Sequence, residues 1–595
     1  AVLNIDGKIN FENIYNKVKW LKEVNQRFSG SKKVDRTDVK KQRAKRFERT
    51  YTLREDTSTL VKHNLKTKKI KLTATVTGKP VKLEYQVVDE NSINITSRMK
   101  KNVKILITEA KEEQQKKNFW TEFAQYSARL AMSIRNVSVR FKNTRSLSLP
   151  QFRPQIGAIF GQSNAYDVLA PGLDFAFGFT DESYIEKAKS RGWLLCDENQ
   201  TTPAIYSKAE EFNFEITLEP LKGLKIVVTG NRTDNRTNQN QFMFAENNVL
   251  YAGSYTKTHM AIATALRSCS SKNGYQSAAF DQFLENIPIV AERLGAQYVG
   301  TRYPTGGFME GNPLAGKEYD PSQGTVNQMS SDVLIPAFLA AYSGRDARKM
   351  NTSPFPSLAA ILPNWRVTYD GLSKMEAFKK FFKSFTLTHA YQCTYAVGSY
   401  NSYTEWLSIG NSMGFIQNAQ NGAPIPSSPY NIASATITEK FAPLVGINAT
   451  MNNNVTFNAE YRDSRTLTLN SSAGQVVEAS SRSLVIGAGY KIANFNSVLK
   501  LKGRQTGVSN DLTLNLDFTL SNNTALIRKI QDRITQATSG TRTMSINFTA
   551  NYILSKKITV GAFFDHQMNT PLVSSSSYPT SNTNFGLSFN MSLAK

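Results

Sequence analysis

At 595 residues the chain has the length of about four ordinary domains or of one large β-barrel. Lys and Arg number 72 against 47 Asp and Glu, a net charge of +25 with a pI near 9.7, which points to anionic partners: nucleic acid, a lipid or lipopolysaccharide surface, or acidic protein. A hydrophobic fraction of 40% with 11% aromatics excludes a disordered chain. No run reaches the roughly 18 apolar residues of a membrane helix, which excludes a helical membrane protein; the longest candidate, 333–342, is too short and contains Pro336. The mean hydropathy of −0.37 remains compatible with a transmembrane barrel, whose strands alternate polar and apolar residues.

Three cysteines, Cys196, Cys269 and Cys393, without a CxxC pair support neither a disulfide framework nor a thiolate zinc site, and the four histidines are scattered without an HExxH. No metal or other cofactor is expected. The chain opens at Ala1 without an export sequence, so it is read as a piece of a longer protein in preference to one whose leader has been removed.

In chain order, 1–29 carries Phe11, Ile14, Tyr15, Val18 and Leu21 at helical spacing, a barrel-linked segment with an amphipathic helix. Residues 30–115 form a basic soluble insertion: 31–69 is dense in Lys and Arg, and 70–108 is a small β module whose runs Ile70, Leu72, Ala74, Val76 and Val81, Leu83, Tyr85, Val87 flank a turn at Gly78-Lys79-Pro80. A second amphipathic helix, with Phe119, Phe123, Tyr126 and Leu130 on one face, leads into a strand with Val137, Val139 and Phe141. Barrel strands and loops occupy 116–255, with Phe212, Phe214, Ile216 and Leu218 in one phase. The pattern breaks over 256–355, a long cap-like insertion with a helix at 280–294 and a Gly- and Pro-rich structureless loop at 300–324.

Barrel strands return over 356–595. Phe385, Leu387, Tyr391, Tyr395 and Val397 share a phase, and about eight strands follow in about 160 residues, at 443–451, 455–461, 484–492, 497–502, 512–520, 544–554, 558–566 and 585–593. The alternation assigns Leu512, Leu514, Leu516, Phe518, Met544, Ile546, Phe548, Phe585, Leu587, Phe589, Met591 and Leu593 to a lipid-facing surface. Thr513, Asn515, Asp517, Ser545, Asn547, Thr549, Ser588 and Asn590 then face a lumen. Short turns are expected at 452–454 and 555–557 and a long loop at 568–582; the stretch 521–540 reads either as a loop with a helix or as two strand extensions.

A soluble β-sandwich and a transmembrane barrel both explain such a series. The wet face, rich in Thr, Ser, Asn and Gly where a soluble sheet carries Lys and Glu, and the run lengths of about nine to thirteen residues favour an all-β transmembrane antiparallel barrel with helical and small β-domain loop insertions. Other constellations are bland. The basic stretch 32–49 is interrupted by Asp35, Asp38 and Glu48 and lacks aromatic platforms, so it reads as a solvated or lipid-contacting face, with no nucleic-acid partner. His389, Tyr391 and Cys393 share a strand without forming a site, and Gly487 and Gly489 lie inside a strand, where they relieve crowding on a barrel wall. No spacing joins Ser and His into a catalytic triad, and the chain is read as non-enzymatic.

More specific stretches are VLIPAFLAAYSGRDA from Val333, FPSLAAILPNWRVTYDGLSKMEAFKKFFKSFTLTHAYQCTYAVGSYNSYTEW from Phe355, RNVSVRFKNTRSLSLPQFRP from Arg135, APGLDFAFGF from Ala170 and KAKSRGWL from Lys187. With IYNKVKWLKEVNQRF and KHNLKTKKIKL near the start, they resemble the C-terminal part of the SprA/Sov family, over nearly the whole chain. The resemblance implies the protein-conducting outer-membrane translocon of the Bacteroidota type IX secretion system, a giant barrel that lets folded gliding adhesins and secreted enzymes cross. It also implies a PorV-like cargo shuttle, a periplasmic plug protein and cargo bearing a type IX C-terminal signal as partners, and a last strand that closes against one upstream of Ala1. Segments 256–332 and 30–115 become candidates for cap or rim elements. The alternatives are an outer-membrane porin or uptake barrel for small solutes, and a soluble basic β protein binding anionic polymers.

Overall fold

The computed structural model describes the chain apart from residues 30–45, 55–56, 69, 77–78, 98–100, 110–118, 156, 158–161, 166–167, 198–200, 243–247, 267–272, 494, 496–510, 556–557, 574–577 and 592–595. It divides into two compact units, Ala1–Ile14 with Met132–Lys595, and Tyr15–Ala131.

The larger unit is organised by one 15-stranded sheet in which every pairing is antiparallel. Its strands are β1 (Val2–Asn10), β2 (Ile134–Ser148), β3 (Ala204–Leu221), β4 (Leu224–Gln241), β5 (Asn248–Thr258), β6 (Asn364–Tyr369), β7 (Phe382–Ser402), β8 (Ser434–Met451), β9 (Val455–Asn470), β10 (Gln475–Ile492), β11 (Leu512–Lys529), β12 (Ile534–Ser555), β13 (Ile558–Pro571) and β14 (Thr580–Met591), with a two-residue bridge at Tyr430–Asn431. They follow one another in space as in sequence. Among the described residues β1 and β14, the two ends of this order, do not pair with each other.

One position in the sheet is composite. β5 pairs with the Arg232–Gln241 half of β4, and β6 with the Leu224–Thr229 half, both antiparallel to it, so together they form one interrupted strand. The chain leaves the wall after Thr258 and returns beside it, where the Leu362 amide meets the Thr258 carbonyl at 3.4 Å. The intervening excursion carries α3 (Ala278–Ala296) and α4 (Ser331–Ser343). Every residue of α4 is buried, Pro336 included, because the helix is apolar around its whole circumference. It packs with α3 and with Tyr391, Cys393, Tyr395, Val397, Ile437 and Leu467 of the wall in the main hydrophobic core.

Several expectations are met and several are revised. The helix expected at 280–294 is α3, and 521–540 is two strand extensions joined by a turn at 530–533. The loop expected at 568–582 is shorter, because β13 continues to Pro571 and β14 begins at Thr580. The stretch 300–324 is not structureless: Tyr303, Met309 and Tyr319 form a compact aromatic cluster with Tyr298 and Phe415. The strand expected at 497–502 lies outside the described residues.

In the smaller unit, two sheets enclose a core that includes Leu53, Val61, Ile93, Ile95, Val103 and Ile105. One sheet orders Arg46–Leu53, Lys101–Glu109, Ile70–Val76 and Lys79–Val81; the other orders Thr57–Lys62, Ser92–Ser97 and Glu84–Val87. The run from Val81 to Val87 is therefore two strands in two sheets, a change of partner that an unbroken period of two conceals. The helix expected near residue 11 is a short Phe11–Tyr15 turn followed by α1 (Lys19–Ser29), and α2 (Phe119–Ala131) is the second expected helix.

Candidate functional site

Directly opposed residues on neighbouring strands share a face, so register traces each face across the sheet. Leu512 faces Tyr552, Leu514 faces Ala550, Leu516 faces Phe548, Phe518 faces Ile546, and Leu520 faces Met544. Phe548 continues to Phe564 and that to Phe585, with Leu587 opposite Ala562, Phe589 opposite Val560 and Met591 opposite Ile558. In the other direction Phe518 meets Ile486, then Ala459, Ile447, Leu387 and Tyr369. Beyond β6 the same face carries Val228 opposite Trp365, Ile216 opposite Val228, Val139 opposite Phe214, and Ile9 opposite Val137. An apolar band thus crosses every position from β1 to β14 on a single face. Leu593 lies outside the described residues.

The band occupies only part of each strand. From Leu512 to Leu520 it rises about 27 Å, whereas the 18 residues of β11 extend about 60 Å. Beyond it, on the same face, the side chains become charged or amide: Asp463 pairs with Arg482 at 3.1 Å, Arg542 donates to Asn522 at 2.9 Å, and Arg232 pairs with Asp234 at 2.6 Å.

The opposite face is polar. Asp517 lies between Gly487 and Asn547, Asn515 between Gly489 and Thr549, and Thr513 between Lys491 and Asn551. Ser545 faces Thr519, Ser588 faces Gly561, and Asn590 faces Thr559. Gly487 is needed here, since a Cβ would come within 2.0 Å of the Asn458 Oδ1 and 2.7 Å of the Asp517 Oδ1. An aromatic exception, Phe563, lies over Gly586. Further along this face a hollow of about 590 Å³ is lined by Arg140, Asn213, Glu215, Asn231, Gln392 and Lys440.

The excursion is mounted on the apolar face, above the band. Tyr391, Tyr395 and Val397 share the phase of Leu387 along β7, yet they contact the buried excursion core. Two arginines fasten it, Arg528 buried and Arg465 nearly so. Arg465 donates through Nε to Glu439 Oε2 at 2.7 Å, through Nη1 to the Thr264 carbonyl at 2.9 Å and through Nη2 to Thr264 Oγ1 at 2.7 Å, while Tyr391 donates to the other Glu439 oxygen. Arg528, wholly buried, donates to Glu478 at 2.8 Å and to the Tyr275 carbonyl at 2.7 Å. These residues escaped the sequence reading, although charges standing in phase with Ile437, Leu467 and Ile530 were the signal. His259, at the start of the excursion, is held by Ser343 Oγ at 2.7 Å from Nε2; burial, with the charges of Lys257 and Arg345, pushes its pKa down to about 3. Asp332 in the first turn of α4 accepts from the Ser428 amide at 2.8 Å and hydroxyl at 2.6 Å, and its burial raises its pKa. His389 does not form a site with Cys393: its Nδ1 donates to the Leu444 carbonyl at 2.7 Å, while Cys393 is buried in the core.

No protein-family model and no curated protein matches the chain. Among solved structures, the chain is similar to OmpT (in-vitro folded), an outer membrane protein of Vibrio cholerae, at 10% identity over 64% of this chain and 89% of that one, with a TM-score of 0.15. At that score the likeness carries no argument.

Proposed function

We propose that the chain is part of a protein-conducting β-barrel of a Gram-negative outer membrane, the translocon of Bacteroidota type IX secretion, through which folded cargo crosses. The observation that carries the membrane reading is the apolar band on one face of every strand position, opposite a polar face. Its length of about 27 Å along the strand, at the usual barrel tilt of about 40°, spans about 20 Å, close to the roughly 25 Å apolar belt of outer-membrane barrels. Lipid then covers the band and water the face of Asn515, Asp517 and Asn547. In lipid every backbone polar group needs a partner, and in this proposal the edges of β1 and β14, not paired with each other among the described residues, are met by further strands of a wider wall. A wide polar lumen suits a folded protein better than a small solute. The chain's role is passive: it offers a hydrated wall, and a PorV-like shuttle, a periplasmic plug and cargo with a type IX C-terminal signal act on it.

The excursion 259–363 sits on the band's face, so on this reading it buttresses the wall from outside, and the segment 256–332 within it is proposed as a cap or rim element there. The test is purification of the native outer-membrane complex through a tag after Lys595, with mass spectrometry of boiled and unboiled samples. Recovery with shuttle-like and plug-like proteins is expected. Recovery of the chain alone at 66.4 kDa, as a heat-modifiable barrel, would overturn the translocon in favour of a small-solute pore.

A further inference from the structure

In the smaller unit, α1 and α2 pack through Val24 and a buried polar pair. Arg129 of α2 is buried, donating from Nη1 to the buried Asn25 of α1 at 3.0 Å. The large apolar side chains point the other way. Phe123, Tyr126 and Leu130, at positions i, i+3 and i+7 of one α2 face, are 57%, 53% and 63% exposed. Trp20 of α1 and Val18 just before it are 46% and 52% exposed. Val24 of α1 is buried at the contact, yet a second apolar stripe, on the outer face of α2, is left uncovered, which calls for an apolar medium outside.

Two observations select the medium. Exposed Lys17, Lys19 and Lys22 are interleaved with Val18 and Trp20, the mixture of cations, indole and aliphatic groups that suits a boundary between anionic headgroups and acyl chains. The chain is also continuous with the band: α2 ends at Ala131, β2 begins at Ile134, and Val137 is already a band residue. We infer that α1 and α2 form an interfacial anchor, lying on a leaflet of anionic phospholipid with Trp20, Phe123, Tyr126 and Leu130 inserted. The inference rests on the membrane reading of the large sheet.

The test uses the whole complex reconstituted in vesicles of phosphatidylethanolamine and phosphatidylglycerol. Nitroxide labels are placed singly at Leu130→Cys, Tyr126→Cys and, on the band, Leu516→Cys, with Cys196 and Cys269 changed to Ser and buried Cys393 retained. The expected result is that labels at 126, 130 and 516 all collide more with molecular oxygen than with a nickel chelate. Nickel preference at 126 and 130 with oxygen preference at 516 would overturn the anchor and leave the membrane reading standing. Shielding of 126 and 130 from both reagents would assign the face to a protein and also overturn it. Nickel preference at all three would remove the membrane reading, and the anchor with it.

Discussion

The charged residues inside the wall show how one side chain can decide where a segment of more than a hundred residues rests. Glu439 is 1% exposed and takes its hydrogen bonds from Arg465 and Tyr391. Arg465 turns its remaining donors to Thr264 and to the Ala261 carbonyl, in the first turn of the excursion. A buried ion pair of this kind adds little against an apolar pair of the same volume, because both groups were stripped of water. Breaking it is another matter. Arg465→Met leaves the carboxylate buried without a counter-charge and frees the Thr264 turn, so a loss of about 3–5 kcal/mol is expected. Adding Glu439→Leu should recover most of it. Denaturant unfolding of the three proteins, with proteolysis timed on the excursion, checks both; equal stability of Arg465→Met and the parent would show that the latch carries no weight.

At the level of elements, the excursion has a pH response of defined sign. His259 is folded in its neutral form with a pKa of about 3, whereas the unfolded side chain takes up a proton near 6.5. The His259 contribution to stability is therefore full well above pH 6.5 and falls as pH drops towards 3, by roughly 2 kcal/mol already at pH 5, while Asp332, with its raised pKa, contributes in the opposite direction. Hydrogen exchange in α4 at pH 7 and pH 5 should show this loosening, and His259→Gln should flatten it; an unchanged dependence in the variant would assign it elsewhere. The sequence made the strands legible and the excursion's seat illegible for one reason. Period-two alternation reports that a face is apolar, and Tyr391, Tyr395 and Val397 obey the same period whether lipid or α4 covers them. Helix α3 was readable because it is amphipathic, while α4, apolar on all sides, gave no phase to read. The run from Val81 to Val87 misled because changing sheets left its alternation intact. The in-phase charges Glu439, Arg465, Glu478 and Arg528 were visible but had no meaning until the register set them beyond the band, at the level of the excursion they hold.

For the molecule as a whole, the orientation of its two faces is the property on which the rest depends, and two consecutive residues of β12 can report it. Asn547 and Phe548 sit at the same height and differ only in face: Asn547 lies opposite Asp517, and Phe548 opposite Leu516. If lipid covers the band, Phe548→Arg places a cation in hydrocarbon and costs about 2–4 kcal/mol. Asn547→Arg meets water and the Asp517 carboxylate, a nearly neutral change. The yield and unfolding midpoint of the membrane-extracted complex should therefore fall for Phe548→Arg and hold for Asn547→Arg. The opposite ranking would turn the sheet inside out, with lipid against the amide-rich face. Tolerance of both would mean water on either side of the band, and a sheet whose apolar stripe binds protein along its whole length. The ranking tests the wall without reference to cargo, shuttle or plug, so its outcome separates the barrel from the use made of it.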